Sequence, residues 1–559
     1  PYLTGELAAE FVHGLQGDHP RYMKAAACAK HYAVHSGPEE DRHVFDAQPS
    51  KRDLYDTYLP AFKKLVMDTK VEIVMGAYNR LYGEPCCASD LLLNNLLREN
   101  WGFDGHVVSD CGAVSDFHIN HKITKDAAES SALAVEKGCD LACDWIIEAL
   151  QEAYNRGLIT KEAIDKSVHR TMRTRFKLGL FDPPNENPYA AIGSEVISCD
   201  AHINLAREAA VQSIVLLKND DNILPLSPNL RSIAVAGPAA GSIDPLLANY
   251  SGFNTGLVTF TEGIIGAAPL DTRIEYRHAF PLTGDLINNT AWPEREFQTF
   301  DVIIAVAGLT PQMEGEEGDA IFAEGGDREA IGLPKSQIEY IKRNHICGNK
   351  IVLVLTGGSP ITLGEVEDMV DAILYVWYPG QEGGNALGDV LFGKRSPSGK
   401  LPITFPKFID DLPPFDDYSM HNRTYRYSEI EPLFPFGYGL SYTSIEYADL
   451  KIEETVIQFS LTNTGDTAGA EVAQVYLTPP ACPFPTPRYK LAGFERVELE
   501  PGESKTVQIE LEDQQCMVIN EEGEAIRPDG PYKVSVGGAS PSNKHPAALE
   551  GWTEKERTK

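Results

Sequence analysis

The chain has 559 residues, 43% of them hydrophobic, with 81 acidic against 49 basic side chains and a formal net charge of −32. That length and composition predict two to four domains with large cores and argue against disorder. The acidic balance argues against nucleic acid or an anionic membrane as partner, since both need positive surface; a solvated acidic surface is its plain reading. No apolar run approaches the ~20 residues of a membrane span.

Residue 1 is proline, with no initiator methionine or signal peptide ahead of it. The expectation is a chain whose native start lies upstream, so that targeting is not readable. Residues 24–33 predict a short strand of small residues ending in Lys30-His31-Tyr32, 54–66 a helix, and 71–78 (VEIVMGAY) a buried strand. Residues 89–99 predict a helix, 105–110 a strand, 126–137 a helix leading to Cys139-Asp-Leu-Ala-Cys143, and 161–178 a closing helix. Apolar strands alternating with helices predict a parallel α/β sheet. In each unit the reactive residues stand at the strand's C-terminal end, where a (β/α) barrel keeps its active site. A full barrel needs about 250 residues, so part of one is expected over residues 1–185.

After a linker at 186–205, a second βα series is expected over 206–405. Its apolar strands are at 232–237 (SIAVAG), 301–308 (DVIIAVAG), 350–357 (KIVLVLTG) and 371–378 (DAILYVWY), with a helix at 334–343. Gly357-Gly358 and Gly383-Gly384 form no phosphate-binding loop and read as turn glycines. A proline-rich linker spans 406–444. Residues 445–559 change to period two, at 471–477, 506–511 and 532–536, and predict a small β-sandwich. The ten cysteines include no metal-type CxxC pair, and no metal or other cofactor is expected. Cys86-Cys87 and Cys139/Cys143 are close in sequence, but spacing alone establishes no disulfide. Sequons begin at Asn249, Asn288 and Asn422, and such triplets arise readily by chance.

Asp110 ends the apolar strand 105–110, and position leaves open whether it is a structural acceptor or a nucleophile. Lys30 and His31 could bind sugar hydroxyls or terminate a strand in a salt bridge. Tyr78 could be a core aromatic or a group positioning the nucleophile. The other acidic concentration, Glu314-Gly-Glu-Glu317 to Asp319 and then Glu324 to Arg328, follows a strand end, where open α/β sheets bind ligands. A Gly-rich acidic loop is by itself usually just solvated. One carboxylate on each of two domains would supply the pair used in glycoside hydrolysis.

At this point the motifs become specific. Lys30-His31-Tyr32, Arg42-His43, Tyr78-Asn79 and Val108-Ser109-Asp110 resemble the family 3 glycoside hydrolases, as do Glu314-Gly-Glu316…Asp327-Arg328…Leu333-Pro334. So do Gly399-Lys-Leu-Pro-Ile-Thr-Phe405, Phe434-Pro-Phe-Gly-Tyr-Gly-Leu-Ser-Tyr442 and Gly493-Phe-Glu-Arg496, in order from residue 1 to about 545. The resemblance implies a barrel, an α/β sandwich and a fibronectin type III-like domain, the barrel being partial in this chain. It implies an exo-acting retaining hydrolase with its active site between the first two domains, and a secreted or periplasmic setting. The opening residues resemble a point well inside the family's barrel.

Carried across residue by residue, Asp110 matches the nucleophile. Lys30, His31, Arg42 and Tyr78 match residues around the reacting sugar. Glu314 matches the first glutamate of the acid/base pattern, with Glu316 and Glu317 as rivals. Asp110 is expected to stay ionised beside Lys30 and His31, Glu314 to have a raised pKa, and the carboxyls to lie about 5–5.5 Å apart. A mobile Gly-rich loop would let Glu314 close over substrate.

Glucosidases of the family commonly carry Trp after the nucleophile, whereas the xylosidase-like branch carries Cys, as Cys111 does here. A side chain there would line the space of a hexose's hydroxymethyl, so β-D-xylosidase is the expected activity, with a short oligosaccharide as partner and α-L-arabinofuranosidase as a side activity. Alternatively, Cys111 is a buried small hydrophobe. The rivals are a β-glucosidase, an N-acetylhexosaminidase using the Asp41-Arg-His43 spacing, and a non-catalytic carbohydrate-binding protein. A homodimer is left open.

Overall fold

Three parallel strands in the order β1 (Cys28–Tyr32), β2 (Ile73–Gly76) and β3 (His106–Ser109) begin the first part of the molecule. Their register runs Ile73 beside His106 to Gly76 beside Ser109, and a parallel bridge from Val108 to Leu141 adds a fourth position. In this computed structural model residues 1–35, 37–252, 254, 256–285, 295, 297–315, 326, 328 and 330–553 are described. They divide into two units: 1–194 with 414–420 and 518–526, and the remainder.

In the first unit helices Tyr2–Gln16, Pro60–Met67, Asp90–Asn100, Ala127–Lys137 and Lys161–Lys177 surround the strands. Helix Asp90–Asn100 is π-wound, closing with Trp101 N–H donating to the Leu96 carbonyl at 2.9 Å. Buried carboxylates tie strands to helices. Asp140 has a fully buried side chain and takes Arg98 at 3.0 Å, Arg170 at 2.9 Å, Ser167 at 3.1 Å and the Val107 N–H at 3.0 Å. Glu72 takes Thr174 at 2.7 Å and Lys177 at 2.6 Å. Such charges are tolerated because each carboxylate oxygen has a donor and each carboxylate a cation. Segment 414–420, within the proline-rich stretch read as a linker, packs here: Tyr58 donates to the Tyr418 carbonyl at 2.8 Å, and the Met420 N–H to Asp53 at 3.3 Å.

The second unit holds a six-stranded sheet formed by β4 (Val215–Asn219), β5 (Ser232–Ala236), β6 (Arg273–Arg277), β7 (Val302–Gly308), β8 (Ile351–Thr356) and β9 (Ala372–Trp377). Their spatial order is β4-β9-β8-β7-β5-β6, and only β4 runs antiparallel to its neighbour. All seven residues of β7 and all six of β8 are buried, which is why these strands read as unbroken apolar runs. Two apolar layers cover the sheet, one including Tyr340, Leu353 and Phe405, the other Phe260, Val354 and Leu387.

Gly383-Gly384 is not a turn but the start of helix Gly383–Leu391. A Cβ on Gly384 would stand 2.0 Å from the Thr259 carbonyl oxygen, and one on Gly388 2.5 Å from that of Gly263. These glycines let the helix touch the backbone of helix Phe260–Ala267.

The C-terminal sandwich pairs two sheets. One holds Ile445–Glu453, Val456–Asn463 and Ser504–Glu510, and the other Gly469–Thr478, Lys490–Leu499, Lys533–Gly537 and Leu549–Trp552. Val456–Asn463 alternates strictly, placing Ile457, Phe459 and Leu461 in the core between the sheets. No described helix is long and apolar enough to cross a membrane.

Candidate active site

β3 ends at Ser109, and the next residue turns its carboxylate out at the C-terminal rim. The Asp110 N–H still donates to the Gly76 carbonyl at 3.0 Å, so its backbone is held by the sheet while its side chain projects beyond it. Asp110 Oδ1 accepts the Cys111 N–H at 2.8 Å, and Oδ2 stands 3.3 Å from His31 Nε2. Its side chain is 15% exposed, enough to be reached and too little to swing freely.

Tyr78 is buried, two residues past β2, and its hydroxyl donates to the Cys111 carbonyl at 2.8 Å. The Arg42 guanidinium lies 5.7 Å from the Tyr78 ring centre and pairs with Glu39 at 2.6 Å. The His43 ring meets Tyr78 edge-on at 4.7 Å. His31 thus faces Asp110, Tyr78 holds the carbonyl of its neighbour Cys111, and Arg42 lies beside Tyr78. Lys30 stands on the same strand end and is exposed. His43 Nδ1 is 2.8 Å from Asp116 Oδ2, so the carboxylate at its ring nitrogen is a buried one from beyond β3. The Asp41-Arg-His43 spacing did not foretell that partner.

Cys111 departs from one of the readings given to it, the buried small hydrophobe. It is neither free nor buried: it is exposed and disulfide-bonded to Cys143, with 4.3 Å between the Cα atoms. The partners are neighbours because Leu141 bridges to Val108, which brings the two strand ends side by side. The Gly112 N–H donates to the Cys143 carbonyl at 2.9 Å and the Cys143 N–H to Ser109 Oγ at 3.0 Å, bracing the same spot. Closing a loop of this length contributes about 3–4 kcal/mol in the chain-entropy account.

His35 stacks obliquely on His31 at 4.6 Å. Its pKa is lowered to about 3, first by burial and then by the charges of His31, Arg42 and Lys30. Burial likewise lowers His121 to about 4. A free imidazole titrates near 6.5, so between these values the unfolded chain binds more protons than the folded one. Stability is therefore complete above about pH 6.5 and falls as the pH drops toward 4. A thermal midpoint that declines from pH 7 to 4.5, with a shallower slope in His121→Leu, is the expected result. An unchanged slope in the variant would remove His121 from the account.

In the second unit, Glu314 closes a single helical turn, Pro311–Glu314, just past β7. Its Oε2 accepts the Gly358 N–H at 2.9 Å and the Tyr378 hydroxyl, and its Oε1 accepts the Ser359 hydroxyl. Gly358 and Ser359 follow β8 and Tyr378 follows β9, so the ends of three adjacent strands meet on one carboxylate. Arg328 in turn donates to Ser359 Oγ at 2.9 Å. Burial, then the hydrogen bond to Glu314, pushes the Tyr378 phenol far above its usual range, so it acts as a donor. These partners went unnoticed in the sequence, where Gly357-Gly358 reads as a turn. A Gly-Gly-Ser directly after an apolar strand was the available signal. Glu316, Glu317 and the Gly-rich loop expected to close over substrate lie outside the described residues.

The family models agree with this layout. Residues 1–174 match the glycosyl hydrolase family 3 N-terminal domain, 214–442 its C-terminal domain and 471–540 a fibronectin type III-like domain. The chain belongs to glycosyl hydrolase family 3. This family 3 glycosidase is 33% identical to a xylan 1,4-beta-xylosidase of Xylanibacter ruminicola, over 97% of this chain and 80% of that protein. It is 31% identical to a periplasmic beta-glucosidase of Salmonella typhimurium, over 96% of this chain and 75% of that protein. It superposes with a TM-score of 0.90 and 29% identity on a family 3 exo-beta-xylosidase solved with a xylobiose aziridine probe, covering 99% of this chain and 75% of that one.

Proposed function

We propose that this glycosidase releases β-D-xylose from the non-reducing ends of xylo-oligosaccharides with retention. Asp110 attacks the anomeric carbon as the aglycone leaves, and water then cleaves the glycosyl ester. His31 and the Cys111 N–H hold the carboxylate in one orientation, and Tyr78 and Arg42 shape the sugar's surroundings. The observation that carries the reading is the carboxylate of Asp110, fixed at the barrel rim with one oxygen on a backbone N–H and the other facing an imidazole.

The preference for a pentose rests on the Cys111–Cys143 disulfide beside that carboxylate. A cross-linked pair cannot move aside, so it is suited to filling space that a hydroxymethyl group would need. Disulfides persist in oxidising compartments, which supports a secreted or periplasmic setting.

The proton donor is assigned to the segment Glu314–Glu317, with Glu314 favoured by its position after β7. One observation favours a second reading. Both Glu314 oxygens are engaged by strand-end donors, Oε2 by the Gly358 N–H and the Tyr378 hydroxyl and Oε1 by the Ser359 hydroxyl. Glu314 then anchors the strand ends, and Glu316 or Glu317 donates the proton.

Comparing 4-nitrophenyl β-xyloside with the β-glucoside tests the substrate. We expect kcat/KM to favour the xyloside by about tenfold or more, the discrimination a packed pocket provides for one extra group. A preference for the glucoside would reject the pentose reading. Turnover of neither would favour a non-catalytic carbohydrate-binding role.

A further inference from the structure

Trp145 is 90% exposed. An indole is usually largely buried, and one left in water forgoes the favourable transfer of its apolar surface. Free indoles are common on loose loops, but this one is not on a loose loop. Cys143 is disulfide-bonded to Cys111 and donates to Ser109 Oγ at 3.0 Å. Asp144 accepts from Ser115 Oγ at 3.1 Å and from the Ile146 N–H at 2.9 Å. Ile146 itself is buried in the barrel core. The residues on either side of Trp145 are therefore pinned, those before it to the 109–115 segment that carries Asp110 and the one after it to the core.

We infer that Trp145 is a stacking platform for the leaving-group side of the substrate, binding the pyranose face of the sugar next to the one Asp110 attacks. This rests on the glycosidase reading above. Aromatic side chains are favoured in carbohydrate-sized sites because a rigid ring offers large apolar area at little entropic cost. The sugar that reacts has to be enclosed by His31, Arg42 and Tyr78, so a residue this open belongs to the sugar beyond it. The disulfide thereby has a second consequence: it ties the platform to the nucleophile's own turn.

The test compares Trp145→Ala and Trp145→Phe with the wild type on xylotriose and on β-xylosyl fluoride, whose leaving group has no ring to stack. We expect Trp145→Ala to lower kcat/KM for xylotriose roughly tenfold, mainly through KM, with Trp145→Phe recovering most of the loss and the fluoride unaffected in both. Equal losses on the two substrates, or no loss on either, would overturn the proposal. If the wild type prefers glucosides, the same split is read with cellotriose and β-glucosyl fluoride, so the substrate assignment fails separately from the platform. If it hydrolyses neither series, xylotriose titration of tryptophan fluorescence decides: quenching in the wild type that Trp145→Ala abolishes supports the platform, and unchanged quenching rejects it.

Discussion

Asp110→Asn is expected to lower kcat on any aryl glycoside by a factor on the order of 10^4, the scale of losing a nucleophile while the binding site stays intact. The substitution is nearly isosteric. It keeps an oxygen for the Cys111 N–H and loses only the attacking carboxylate. The thermal midpoint should therefore stay within a few degrees of the wild type, which separates lost chemistry from lost fold. Residual turnover of a tenth or more in a correctly folded Asp110→Asn protein would remove Asp110 from the nucleophile's role.

The second large effect concerns the proton donor. Removing a general acid costs about 10²–10⁴-fold, but only where the leaving group needs a proton. Among Glu314→Gln, Glu316→Gln and Glu317→Gln, one variant is expected to lose activity on xylobiose while keeping it on 2,4-dinitrophenyl β-xyloside. That same variant should be rescued by azide with formation of β-xylosyl azide. On the second reading, in which Glu314 anchors the strand ends, Glu314→Gln instead loses activity on both substrates without azide rescue, because its amide NH2 is set against groups that donate to the carboxylate. Azide rescue of Glu314→Gln would return the role to Glu314.

Much of this site was visible before any coordinates, and the reason is geometric. Parallel strands buried on both faces leave few places for polar residues, so a charge closing an apolar run, as Asp110 does, marks the rim. His31 and Tyr78 fall on neighbouring strand ends by the same logic. What escaped was whatever depends on which strands adjoin. Cys111 and Cys143 are 32 residues apart, and only the bridge between Val108 and Leu141 makes them partners. The donors to Glu314 lie 44, 45 and 64 residues further along, after two other strands. Gly383 and Gly384 read as turn glycines because a helix packed backbone to backbone leaves the same mark as a bend. β4 escaped because a short apolar run does not reveal whether it is strand or helix, still less its direction.

The central claim is that Asp110 carries the sugar covalently. Incubation with 2,4-dinitrophenyl 2-deoxy-2-fluoro-β-xyloside, followed by peptide mass spectrometry, tests it most directly, since the fluorine slows release of the intermediate. The account predicts a single fluoroxylosyl label on the peptide containing Asp110, formed as activity is lost. A label on a different carboxylate, or active protein that hydrolyses xylosides and accumulates no label at all, would contradict it.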